Sequence, residues 1–177
     1  MKDLINELRI MKENGNLIAE EPHFKGDFSP IQTREIVRIE KVLGFTLPII
    51  LTRIYTEIAN GGFGPAYGLM GLKGGMLDDM GKDVLTLYLS FIKERSSDPH
   101  WYWPEKLLPL GYFGCGMYYC VDCSEDKLPV KWFEPNPHED GQPWSESFIL
   151  IIDSFEEWMF AYIDGEDTFG KYLSQTP

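Results

Sequence analysis

Cysteine is scarce, three in 177 residues, which excludes the dense disulfide framework of small secreted domains. Long apolar runs are missing, and none approaches the ~18 residues needed to cross a bilayer. The opening residues carry Lys2, Asp3, Glu7 and Arg9 with no long apolar stretch behind them, unlike a secretory leader. We therefore expect a cytoplasmic protein that does not enter membranes. Positive charge is also short: 16 Lys and Arg stand against 28 Asp and Glu, a net charge of −12. The deficit is uneven. Residues 1–88 hold 10 basic and 12 acidic side chains, whereas residues 89–177 hold 6 and 16. Such a surface repels nucleic-acid phosphates and anionic lipid, and attracts a basic protein.

Sequence signatures of catalysis are lacking as well. There is no Gly-x-Ser-x-Gly, no His-Glu-x-x-His and no Walker loop. A phosphate cradle follows a strand and opens a helix. Gly61-Gly62-Phe63-Gly64 instead follows a helical pattern, and the glycines from Gly111 to Gly116 join two strand patterns, so both sets are turn formers. Cys120 and Cys123 form one Cys-x-x-Cys, with Cys115, His100 and His138 nearby in sequence. A structural zinc site draws on four ligands, often two short-spaced pairs, and the second pair is absent. Cys120 falls inside a strand pattern, where cysteine behaves as a small hydrophobe. We expect no metal and no cofactor. An enzyme using an unmarked pair among the 28 carboxylates remains the third functional alternative.

What is present describes one α+β domain over residues 1–177. Leu4, Ile5, Leu8 and Met11 recur at helical spacing until Asn14-Gly15-Asn16. After a polar loop over 20–29, a second helix starts either at Ser29-Pro30 or with Thr33 as N-cap. It presents Ile36, Ile39, Val42 and Leu43 on one face and ends at Gly44. Leu47-Pro48 restarts a helix through Leu51, Ile54, Tyr55 and Ile58, closed by Asn60-Gly61-Gly62. A glycine-rich stretch then holds a short strand around 67–72. Asp78 and Asp79 precede a third amphipathic pattern, Met80, Val84, Leu87, Phe91 and Ile92, with Lys93 and Arg95 in its last turn. The second half changes period. Leu107–Leu110, Met117–Asp122, Leu128–Glu134 and Phe148–Asp153 read as an antiparallel sheet. Residues 135–147 form a polar, proline-rich excursion. Ser154-Phe155-Glu156-Glu157 is a capping box opening a closing helix.

Residues 35–75, with Ile39-Glu40, Leu43-Gly44-Phe45, Leu47-Pro48 and Asn60-Gly61-Gly62, resemble the SUKH superfamily, which includes a yeast regulator of cell-wall synthesis and many bacterial proteins. Residues 107–123 resemble its central hairpin and 154–165 its closing helix, so the resemblance covers about 30–165 apart from 135–147. It implies helices packed on an antiparallel sheet. It also implies an immunity protein that binds and neutralises a polymorphic toxin, with a regulatory or scaffold module of the cell-wall-regulator type as the alternative. Leu43, Phe45, Leu47 and Tyr55 within the motif read as core residues.

The expected partner surface lies on the sheet-side loops of the acidic half. It comprises Asp122, Glu125 and Asp126 beside one hairpin turn and Glu139, Asp140 and Glu146 in the excursion. These acids fall in loops, away from helical partners that would neutralise them. Trp144, set among Gly, Gln, Pro and Ser without periodic apolar neighbours, is the expected aromatic anchor within that rim.

Overall fold

A computed structural model describes residues 2–24, 28–93 and 98–168. The first helix, α1 (Leu4–Glu13), is capped by Asp3, whose side chain accepts the N–H groups of Ile5 and Asn6, and it buries Leu4, Ile5 and Leu8. Helix α2 (Thr33–Leu43) buries Ile36, Ile39 and Leu43 and ends at Gly44, which takes the left-handed conformation at φ 83°. Neither expected start is right. Thr33 is already helical and the capping position belongs to Gln32, whose side chain makes no cap bond.

The turn after α2 is held by Glu40, whose Oε1 accepts the Leu47 N–H at 2.9 Å. Pro48 then leads into α3 (Ile49–Arg53), which widens into a π-helical turn over Ile54–Ile58. Thr56 donates its hydroxyl to Thr52 O, an internal bond that bends helices. The Ala59 N–H reaches back five residues to Ile54 O. The widened turn buries Ile54, Tyr55 and Ile58 together. Leu43, Leu47 and Tyr55 are core as expected, but Phe45 is only half-buried and meets Tyr88 edge-on.

Asn60 organises the glycine-rich stretch. It is 4% exposed; its Oδ1 accepts Leu72 N–H at 2.9 Å and its Nδ2 donates to Lys73 O at 3.1 Å. Gly61 is required by close approach, since a Cβ there would lie 2.5 Å from Leu69 O. The expected strand around 67–72 reduces to a single bridge between Leu69 and Gly111. The amides that would extend a ladder are spent locally, Gly71 on Met76 O and Leu72 on the Asn60 side chain.

Helix α4 (Val84–Lys93) starts later than the apolar pattern suggests. Asp83 Oδ1 accepts Thr86 N–H at 2.8 Å and so caps it. Asp78 is instead buried in a turn, accepting the N–H groups of Met80 and Lys82 and the Tyr118 hydroxyl. Met80 is therefore exposed. Arg95 lies outside the described residues.

Four strands follow: β1 (Leu107–Gly114), β2 (Met117–Asp122), β3 (Val130–Phe133) and β4 (Phe148–Ile152). They form an antiparallel meander in sequence order. Side chains alternate between its faces. Tyr119 and Trp132, opposite each other, pack on one face, with Trp158 of α5 (Phe155–Ile163) 5.2 Å from Tyr119. Tyr118 and Phe133 occupy the other, against Phe91 of α4, and Trp103 meets Phe133 at 4.9 Å. Ser154 accepts the Glu157 N–H, as the capping box requires. The molecule is thus α+β, helices on both faces of a four-stranded sheet, and no described helix is long and apolar enough to cross a membrane.

Candidate partner-binding surface

Meander geometry decides where the acidic residues go. In an antiparallel sheet alternate connections fall at opposite ends. The β2–β3 turn carrying Glu125 and Asp126 therefore sits at one end, and residues 134–147 sit at the other, beside the β1–β2 turn. A hydrogen bond from Asn136 Nδ2 to Cys115 O, at 3.5 Å, ties that excursion to the β1–β2 turn. The expected single rim of acids around Trp144 does not exist; the acids form two groups with the sheet between them.

Asp122 also departs from expectation. It closes β2, is 6% exposed, and receives Lys131 Nζ at 2.8 Å and Ser124 N–H at 3.0 Å. Burial works against its charge, but the hydrogen bonds from Lys131 and Ser124 outweigh it and hold its pKa below the ordinary carboxylate value. It is a paired structural acid, not a free one. Glu125 and Asp126 are exposed, and line a shallow hollow with Lys127, Pro129 and Asp153. The α5 entry adjoins this end, since Phe155 N–H bonds Lys127 O, which brings exposed Glu156 and Glu157 near. At the other end Glu139, Asp140 and Glu146 are exposed, Glu146 within a 3-10 turn over Trp144–Ser147.

Trp144 is half-buried and anchored. Its Nε1–H donates to Asp98 Oδ2 at 2.6 Å. Its ring meets Trp101 edge-on at 4.6 Å and lies parallel to His138 at 3.7 Å. Hydrogen bonds from His100 N–H and this indole keep the Asp98 pKa below its ordinary value. The indole lines a hollow of about 340 Å³ with His100, Tyr102 and Gln142. Two of its anchors, Asp98 and Trp101, come from more than forty residues upstream, so no sequence periodicity announces them.

The cysteines are free. Burial pushes the Cys120 thiol well up and that of Cys123 to about 12, as expected of thiols in apolar surroundings. Among the described residues no cluster of three or more His, Cys, Asp or Glu is placed to hold a metal.

Between the two acidic ends runs β4, an apolar strand at the edge of the sheet. Its five residues, Phe-Ile-Leu-Ile-Ile, carry no charge, yet it is an edge strand and Leu150 is 53% exposed. An all-apolar run signals a strand, but whether that strand lies at an edge depends on strand order, which periodicity does not give.

The hallmark residues, the meander and the closing helix agree with the comparison to protein families, where residues 30–161 match the SMI1/KNR4 family (SUKH-1). The chain belongs to that family. At the level of the family this supports a toxin-immunity or SMI1/KNR4-like role exercised through a protein partner. None of the curated proteins compared matches the chain. The SUKH-1 match begins after α1, yet α1 is integral to the fold: Arg9 pairs with Glu57 at 2.9 Å and Lys12 Nζ donates to Ile58 O. The family motif itself is structural here, with Glu40, Gly44, Asn60 and Gly61 all spent on turns.

Proposed function

We propose that this SUKH-1 chain is a cytoplasmic immunity protein that binds a basic domain of a cognate polymorphic toxin and neutralises it by occlusion, without catalysis. Family membership over residues 30–161 is the observation that carries the reading. The exposed acids Glu125, Asp126, Glu139, Asp140 and Glu146 support it. A nuclease presents a basic cleft to phosphate, and an acidic surface competes for that cleft by charge complementarity. Titrating the toxin domain encoded by a neighbouring gene against this chain tests the proposal. Inhibition saturating at a fixed stoichiometry, and reversing when the complex dissociates, is expected. Substoichiometric conversion of the toxin into a cleaved or modified product overturns it. A regulatory module of the cell-wall-regulator type is the second reading, favoured by the family's name; capture of a self protein in cells that lack any such toxin gene would select it.

A further inference from the structure

We propose that the open edge of β4 is a strand-addition site, taking an extended apolar segment of the partner protein that carries lysine or arginine at both ends. The proposal rests on the preceding reading only in taking the partner to be a basic protein. Its ground is the backbone. The sheet order ends at β4, and among the described residues no backbone bond outside the ladder involves Ile149, Leu150, Ile151 or Ile152. Glu134 N–H bonds Ser147 O, so Ser147 and, two residues on, Ile149 turn their polar groups to β3, while Phe148 and Leu150 turn theirs outward. The Phe148 N–H is taken by Ser145 O. The Leu150 N–H and C=O are left facing outward on a strand whose side chain there is exposed.

Natural edge strands are guarded by lysine, proline, inward-pointing charge or a bulge; Phe148–Ile152 contains no lysine, proline or charge, and its one irregularity is a bulge past Leu150, where the pairing steps from Leu150 to Ile152. The regular stretch before that bulge, Phe148–Leu150, carries no charge or proline against pairing with another chain, in which main-chain bonds give affinity and alternate side chains selectivity. Charge decides which chain. Glu146 stands just before β4, and Asp153 just after it with Glu125 and Asp126 alongside. A strand seated on β4 meets acid at both ends whichever way it runs. A second copy of this chain would set acids against acids, which is unfavourable across paired strands, and each copy brings a net charge of −12. A segment with basic ends instead gains at both.

The test uses the full chain and a synthetic probe, an acetylated peptide of alternating valine and threonine with two lysines at each end, beside the same peptide with glutamates in their place. Amide exchange by NMR should show Leu150 slowed about tenfold or more by the lysine-ended peptide. The glutamate-ended peptide should bind about tenfold more weakly. Leu150→Pro removes the outward donor at an edge position where proline is tolerated, and should abolish binding. Should that variant not fold, Leu150→Lys, at an exposed side chain, should weaken the lysine-ended peptide by about tenfold. Equal binding of both peptides, binding without protection of Leu150, or binding unchanged in the folded variants overturns the proposal. So does self-association of the wild-type chain that Leu150→Pro removes, because the occupant is then a second copy. Toxin capture retained in a folded Leu150 variant overturns the β4 assignment alone and leaves the immunity reading standing.

Discussion

Asn60 and Asp122 show how one side chain commits a stretch of backbone. Asn60 satisfies a buried amide at Leu72 and a carbonyl at Lys73, and an unmet buried polar group costs about 1–3 kcal/mol. Asn60→Ala should therefore destabilise the chain by about 3 kcal/mol in urea denaturation, since two backbone groups lose their partner; a loss below about 1 kcal/mol would mean that water replaces the amide. Asp122 makes a pH prediction. Its folded pKa lies below the ordinary 3.8, so its contribution is present above that value and disappears as the pH falls through the folded pKa. The stability gap between the wild type and Asp122→Asn should be constant near neutrality and close in strongly acidic solution. A gap that widens on acidification would contradict the pairing with Lys131. Asparagine in Asn-Gly-Gly reads from sequence as a helix stop, and aspartate after a strand reads as a loop acid. Their actual roles depend on groups brought near by the fold, Leu72 and Lys131, and no local pattern encodes these.

At the scale of elements, the sequence is legible where a face or a cap dictates the outcome. Strand β2 has the bounds expected from sequence, Met117–Asp122, and Ser154 caps α5 as expected. Helix α4 is the instructive miss. Met80 continues the apolar spacing, but Asp78 draws the Met80 and Lys82 amides into a turn, and the helix waits for Asp83. Capping chemistry overrode periodicity there. The excursion over 135–147 is the converse: polar and proline-rich, it is nonetheless pinned by Trp144 through Asp98, Trp101 and His138. Trp144→Ala should therefore act first as a local lesion. Hydrogen exchange should rise across 134–147 while global stability falls by about 2 kcal/mol. Exchange rising uniformly over the whole sheet would instead make Trp144 part of the main cooperative unit.

At the scale of the whole molecule, the proposed docking divides the work: charge would set the rate of encounter and the β4 edge the place where the partner stays. Most of the chain's net negative charge lies in its second half, and exposed acids of that half stand at both ends of the sheet. Asp122 drops out of any charge-reversal experiment, because a lysine there would be buried beside Lys131 and the variant would report unfolding. The informative pairs are Glu125→Lys with Asp126→Lys at one end, and Glu139→Lys with Asp140→Lys at the other. All four side chains are exposed, so the fold should tolerate the changes. Exposed charges act over roughly the Debye length, ~10 Å at 0.1 M salt, whereas a five-residue strand spans about 17 Å. The two ends should therefore contribute separately. Against the cognate toxin domain at about 0.1 M salt, each pair should slow association by about tenfold and flatten its salt dependence, with dissociation changing far less. Combined, the two pairs should slow association by close to the product of their separate factors. If only one pair acts, the partner meets one end of the sheet and does not lie along β4. If neither acts, steering by this half plays no part in recognition. Stopped-flow mixing over a salt series separates these outcomes, because a partner that spans β4 is the one arrangement that needs both ends at once.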